Sequence, residues 1–168
     1  LSRCCFKKTI GDMVRLGRLV PAKVAMVRTA GVVDAQGYKL YPEGISENSY
    51  RNALIVYAAQ HLIAAGRKVL VLTKEVDHSR VLAAGIGNGA IQVDGTKTED
   101  LKPALAALAS GKTPCVVGTS VIGEGVDVPE ADALVYAAGG RSAVKHVQDY
   151  FRVLTAKDGK ASGLIVDF

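Results

Sequence analysis

GRKVLVLTKEVDHSRVLAAGIGNGAIQVDG, residues 66–95, decides the fold. KVLVLT (68–73) is an unbroken apolar run with no polar face, the pattern of a strand covered on both sides. VDHSRVLAAGI (76–86) reads as a short helix, and AIQVDG (90–95) as a second strand ending at Gly95. A strand, a helix of ten or so residues and another strand imply a parallel pair joined by a helical crossover. The glycines of GIGNGA (85–90) stand at alternate positions, as in a phosphate-cradling loop. Such a loop must follow a strand and open a helix. This one follows a helix and precedes a strand, so it reads as a turn.

The same rhythm extends outward. YRNALIVYAAQHLIAAG (50–66) is a long helix that stops at Gly66, a good residue to follow a helix end. Asp100 can cap a helix running to about Ser110, with Pro103 in its tolerant first turn. PCVVGT (114–119) and ALVYAA (133–138) read as strands, SAVKHVQDYFRVL (142–154) as a helix, and SGLIVDF (162–168) as a last strand. The expected class is α/β: a doubly wound, mainly parallel sheet with helices on both faces. Residues 1–45 break the rhythm. KKTIGDMVRLGRLVP (7–21) suits a short helix ending near Gly17, AKVAMVRTA (22–30) an edge strand, and GVVDAQGYKLYPEG (31–44) a loop or hairpin. The expected division is a basic lead-in or linker, 1–45, and a domain, 46–168.

At 168 residues the chain can bury one core without staples. Trp is absent and aromatics are scarce, so that core must come from Ala, Val, Leu and Ile. Cys4, Cys5 and Cys115 make neither a disulfide framework nor a zinc site, which points to a reducing compartment such as the cytoplasm. No apolar run reaches membrane-spanning length, so no membrane partner is expected. The chain starts at Leu1 rather than Met, as a piece of a longer protein would. Its net charge of +5 is concentrated in residues 1–28, which alone carry +6 through Arg3, Lys7, Lys8, Arg15, Arg18, Lys23 and Arg28 against Asp12. Two readings stay open: an arm for an anionic partner, nucleic acid first, or a solvated edge facing another domain.

The candidate site follows from the sheet. Ligands of open α/β sheets bind beyond the carboxyl ends of the strands, where GTSVIGEGVDVPEAD (118–132) leaves the CVV strand. Gly123 and Gly125 permit close backbone approaches. Thr119 and Ser120 offer hydroxyls and amides to a phosphate backbone, and Asp127 offers an acceptor to ribose hydroxyls or a basic partner. Gln148 and Arg152, four apart, share a helical face. A fixed arginine beside an amide suits charge developing in phosphoryl transfer; the plain alternative is a surface arginine paired with Asp149 or Asp158. His61, His78 and His146 lack metal-ligand spacing. His78, just past the KVLVLT strand, joins the candidates, whereas His61 reads as structural. No nucleophile elbow is present.

Together these residues resemble the second RecA-like lobe of superfamily 2 helicases and translocases, over about residues 46–168. RKVLVLTKEVDHSRVL (67–82) looks like motif IV. VDGTKTEDLKPALAALASGK (93–112) matches a Gly-ended strand, helix and short basic turn. VVGTSVIGEGVDVPEADALVYA (116–137) is similar to motif V, in which a threonine precedes G-x-D-x-P. QDYFRVLTAKDGKASGLIVDF (148–168) has the position of motif VI with its trailing strand, and DMVRLGRLVPAKV (12–24) looks like the junction between lobes.

The resemblance implies that Thr119 and Ser120 touch phosphates of the tracked DNA or RNA strand. It implies that Gly125 and Asp127 couple this grip to the nucleotide, with Asp127 near the ribose. Gln148 would approach the γ-phosphate and Arg152 would act as an arginine finger. ATP and Mg2+ would be held mainly by an N-terminal lobe carrying the P-loop, since this chain has no G-x-x-x-x-G-K-[ST]. The chain alone is therefore expected to hydrolyse no ATP. Motif VI departs from Q-R-x-G-R-x-x-R: Asp149, Phe151 and Thr155 replace arginine, glycine and arginine. Two functions follow, the C-terminal lobe of an ATP-dependent helicase or translocase, or a degenerate, non-catalytic module that binds nucleic acid or protein. A Rossmann cofactor domain would need a Gly-rich turn after its first strand, and KVLVLTKEVDHS has none.

Overall fold

The computed structural model describes residues 9–29, 37–94, 98–119, 127–140 and 142–168. The strands among them are β1 (Ala22–Met26), β2 (Val69–Thr73), β3 (Ile91–Val93), β4 (Cys115–Thr119), β5 (Ala133–Tyr136) and β6 (Gly163–Asp167). They form one sheet in the order β1-β6-β5-β2-β4-β3, with every neighbouring pair parallel. Every residue of β2, β4 and β5 is buried, as their continuous apolar runs require. The helices are α1 (Ile10–Arg15), α2 (Ser49–Ala64), α3 (Val76–Ile86), α4 (Thr98–Ser110) and α5 (Ala143–Phe151).

Strand alternation sorts the core into two layers. Leu70, Leu72, Val116, Leu134, Tyr136 and Ile165 pack with Ala104 and Leu108 of α4 and with Val153 and Leu154. Val69, Val71, Cys115, Val117, Ala133 and Val135 pack on the other face, with Ile55, Ala59 and Leu62 of α2 and Leu82 and Ile86 of α3. Each fully buried Val, Leu or Ile among them contributes roughly 1.5–3 kcal/mol. Within α2 the buried positions Arg51, Ile55, Ala59 and Leu62 make a single stripe at helical spacing.

Several local expectations hold for visible reasons. Asn48 caps α2 by accepting the Arg51 amide at 2.9 Å, and Gly66, at φ +77°, follows the helix end. α3 runs into Gly87, Asn88 and Gly89, all at positive φ, before β3 begins. β1 is indeed an edge strand, parallel to β6. The preceding residues are stitched in too: the Val20 amide donates to the Leu154 carbonyl at 2.8 Å, and Val20 is buried.

Three expectations are corrected. Helix α4 starts at Thr98, so Asp100 lies inside its first turn, and Pro103 is an interior residue rather than a first-turn one. Asp100 still favours the helix there, because its carboxylate meets the positive end of the dipole. Residues 37–46 form a 3₁₀ turn (Gly37–Lys39) and a π-helical turn (Pro42–Ser46), not a hairpin; residues 31–36 lie outside the described residues. Helix α5 ends at Phe151, with Arg152 as its C-cap, so Val153 and Leu154 enter the core beyond the helix.

Helices α2 and α3 meet at Gly85, where a Cβ would stand 2.9 Å from Val56 Cγ2. Alanine is worth about 1 kcal/mol over glycine in a helix interior. Valine cannot easily turn away within a helix, however, and overpacking costs about 1–3 kcal/mol. Gly85→Ala should therefore lower the urea midpoint, and adding Val56→Ala should restore part of the loss. A stabilised single variant would show that the two helices move apart freely.

Candidate functional site

The carboxyl edge of the sheet is lined by strand ends. Thr73 closes β2 and Thr119 closes β4; the two are register partners, and both are buried. The Thr73 hydroxyl donates to the Glu75 carbonyl at 3.0 Å, which fixes the exit from β2. Ser120 and Gly125 lie outside the described residues. Asp127 is exposed, and Val128, next to it, is buried. The Val128 amide donates to the Arg152 carbonyl at 2.8 Å, so the segment after β4 is tied to the end of α5 through the main chain.

Gln148 and Arg152 do not share an environment. Gln148 is exposed, whereas the Arg152 side chain is only 10% exposed and its Nε donates to Asp149 Oδ1 at 3.1 Å. Their four-residue spacing predicts a common face only for a helix that continues. Here the Leu154 amide turns back to the Phe151 carbonyl at 3.0 Å, and the chain folds Arg152 inward. Asp149 is 1% exposed, and its pairing with Arg152 is thus a buried one rather than the surface pair that spacing suggests.

Asp149 Oδ2 and the Tyr136 hydroxyl, buried and without other partners among the described residues, face each other. Burial, and then the Asp149 charge, hold the Tyr136 phenol well above its ordinary range. Tyr150 donates to Asp167 Oδ2 at 2.5 Å, and burial followed by that hydrogen bond raises its pKa as well. Both phenols stay protonated; Tyr150 donates to a carboxylate, whereas the Tyr136 hydroxyl makes no hydrogen bond among the described residues.

A groove of about 550 Å³ runs between α1 and α5, lined by Ile10, Met13, Val147 and Phe151 with Asp127 and Thr155 among its polar edges. Asp127 and Gln148 are both exposed, and Asp127 alone of the two lines this groove. Among the described residues no group of three His, Cys, Asp or Glu could hold a metal ion, and no helix is long and apolar enough to cross a membrane. Cys115 is buried, and its thiol is pushed up to about 12, which makes it a core residue rather than a nucleophile.

Sequence reasoning missed Arg51. It is 2% exposed and donates to the Ala137 carbonyl at 3.1 Å and the Phe168 carbonyl at 3.4 Å, bracing the ends of β5 and β6. Its place in the α2 stripe was the available signal. His78, a sequence candidate, instead bridges helices: it is 3% exposed, and Nε2 lies 2.8 Å from Asn52 Oδ1. Burial, and then the nearby Arg51 charge, depress its pKa to about 4.

Between that value and an unfolded value near 6.5, the unfolded chain binds a proton that the folded chain refuses. This contribution is therefore complete above pH 6.5 and is lost as pH falls toward 4, by about 3 kcal/mol in all. His78→Gln should flatten the wild-type fall in stability between pH 7 and pH 4.5. An unchanged slope would assign the acid sensitivity to other groups.

A doubly covered parallel sheet in this strand order, with Thr119 at its carboxyl edge, defines a RecA-like lobe. The chain belongs to the helicase conserved C-terminal domain family, which matches residues 51–154. It is 24% identical over 166 residues to the ATP-dependent rRNA helicase RRP3 of Meyerozyma guilliermondii, covering 95% of this chain and 34% of that protein. It is 28% identical over 102 residues to predicted helicase 22 of Sulfolobus islandicus filamentous virus, covering 58% of this chain and 18% of that protein. The chain thus spans about a third or less of the length of these relatives.

Among solved structures, T4 UvsW superposes with a TM-score of 0.66 at 21% identity, over 80% of this chain and 28% of that one. A fragment of a predicted HsdR subunit of a type I restriction enzyme from Vibrio vulnificus YJ016 gives 0.64 at 15%, over 94% and 33%. The DUF1998 helicase MrfA bound to DNA and AMPPNP gives 0.57 at 14%, over 70% and 18%. At these identities the likeness establishes the shared fold.

Proposed function

We propose that this chain is the C-terminal lobe of an ATP-dependent nucleic-acid helicase or translocase. Residues 1–45 lead in from an N-terminal lobe that supplies the P-loop and the Mg2+ ligands, and ATP sits between the two lobes. Thr119 and Ser120 grip phosphates of a DNA or RNA strand. Gly125 and Asp127 relay that grip, with Asp127 toward the ribose; Gln148 and Arg152 face the γ-phosphate when the lobes close. The observation that carries this reading is the main-chain bond from Val128 to Arg152. It couples the segment following the strand-gripping end of β4 to the nucleotide-facing end of α5, which is what a motor lobe requires. Such a protein belongs in a reducing, nucleic-acid-associated compartment such as the cytoplasm.

The test is ATP hydrolysis by the full-length protein with and without single-stranded DNA or RNA. Turnover that rises with nucleic acid, together with binding that weakens linearly in log salt, is the expected result. One observation favours a second reading, a non-catalytic module: Arg152 is folded inward onto Asp149. Retained binding with no turnover, in a protein whose upstream lobe lacks an intact P-loop, would select that reading.

A further inference from the structure

We propose that a pocket at the carboxyl ends of β2 and β5 receives one unstacked base of a single-stranded nucleic acid. The proposal rests on the nucleic-acid reading above and deepens it. The pocket is about 170 Å³, comparable with the ~150 Å³ cavity that accepts a benzene ring. It has room for a planar ring system but not for a whole nucleotide. Tyr41 and His146 supply the accessible aromatic walls, Tyr136 in the same lining being fully buried, while Lys74 and Lys145 bring positive charge. Aromatic faces for bases beside cations for the backbone are the combination that binds single strands without reading sequence.

The walls are fixed in place. The Tyr41 hydroxyl donates to the Ala138 carbonyl at 2.8 Å, and Lys74 Nζ sits 4.3 Å from the Tyr41 ring centroid. The Tyr136 and His146 rings are 4.9 Å apart and tilted by 58°. Gly139 and Gly140, at φ +63° and +117°, turn the chain beneath the pocket in conformations that side chains rarely adopt. A Cβ on Gly140 would stand 3.7 Å from His146 Nε2, so the backbone at Gly140 packs directly against that nitrogen.

His146 Nε2 also argues for a base over a phosphate. It is buried and has no hydrogen-bond partner among the described residues, a state that costs about 1–3 kcal/mol unless something fills it. A base edge carries both donors and acceptors and can meet either tautomer of the ring. The position is right as well. β4 and β5 both pair directly with β2, so this pocket lies two strand spacings, about 10 Å, from the end of β4 at Thr119. A strand gripped at Thr119 can deliver a nearby nucleotide to it.

The experiment measures fluorescence anisotropy of the full-length protein with a single-stranded oligonucleotide and with the same strand made abasic throughout. Abasic sites keep the phosphates and remove the bases. Wild type should bind the abasic strand roughly 5- to 150-fold more weakly, the range expected for one stacked base. His146→Ala should bind the two strands alike, whereas Thr119→Ala should weaken both and keep their ratio.

Equal binding of the two strands by wild type would overturn the base pocket while leaving the phosphate grip standing. Binding to neither would overturn both readings. Discrimination that persists in His146→Ala would place the base contacts elsewhere and overturn the proposal. Should His146→Ala fail to fold, 2-aminopurine in the strand decides with wild type alone: quenching on binding is expected, and an unchanged signal overturns the proposal. Free AMP should not displace the strand at millimolar concentration; displacement would assign the pocket to a mononucleotide instead.

Discussion

Arg152→Ala should remove nucleic-acid-stimulated ATP turnover by about a thousandfold or more, the scale on which arginine fingers act in phosphoryl transfer. The same change should also destabilise the lobe. Arg152 and Asp149 are both buried, and removing one partner of a buried pair costs about 3–5 kcal/mol because the other charge remains. Lost activity in the alanine variant therefore has two sources, and Arg152→Lys separates them. Lysine keeps a cation beside Asp149 but lacks the planar fork that can hold a carboxylate and a phosphate together. It should melt within a few degrees of wild type and still lose at least about a hundredfold in kcat. A lysine variant as active as wild type would remove Arg152 from the reaction and leave it as the partner of Asp149 alone.

Asp149→Arg should unfold the lobe, although it moves motif VI back toward the pattern of the family that this chain resembles. A surface position would accept the arginine with little cost. Here the carboxylate is 1% exposed, accepts the Arg152 Nε at 3.1 Å and faces the Tyr136 hydroxyl. A guanidinium in its place would bury two like charges against each other and strip Arg152 of this acceptor. The loss should exceed the roughly 3–5 kcal/mol of a simply broken buried pair, against a total stability of about 5–15 kcal/mol. Circular dichroism and a urea titration would measure it. Asp149→Asn should be far milder, since the amide oxygen can still accept from Arg152. A folded, more active Asp149→Arg protein would mean that the end of α5 rearranges and that the inward-turned Arg152 is only one of its states.

How much of this was legible in advance depends on the range of the interaction. KVLVLT, CVVGT and ALVYAA declared themselves as buried strands because three consecutive apolar runs can be satisfied only by cover on both faces. The turn at Gly87–Gly89 was legible because glycine and asparagine tolerate positive φ where other residues do not. The threonine that closes β4 could be assigned to the sheet's carboxyl edge, since the edge follows from strand direction alone.

Arg152 shows where that reasoning stops. Four-residue spacing states which side chains share a face while a helix lasts, and it does not say where the helix ends. α5 ends at Phe151 because Val153 and Leu154 are drawn into the core and the Arg152 carbonyl is taken by Val128, a contact made far along the chain. The burial of Asp149, the bracing by Arg51 of carbonyls 86 and 117 residues away, and the buried His146 nitrogen, which has no partner among the described residues, have the same origin. By itself the sequence determined the α/β class, the order of its elements and the family. Only the tertiary structure decided which charged groups face solvent, because strand order brings together residues that no local period relates.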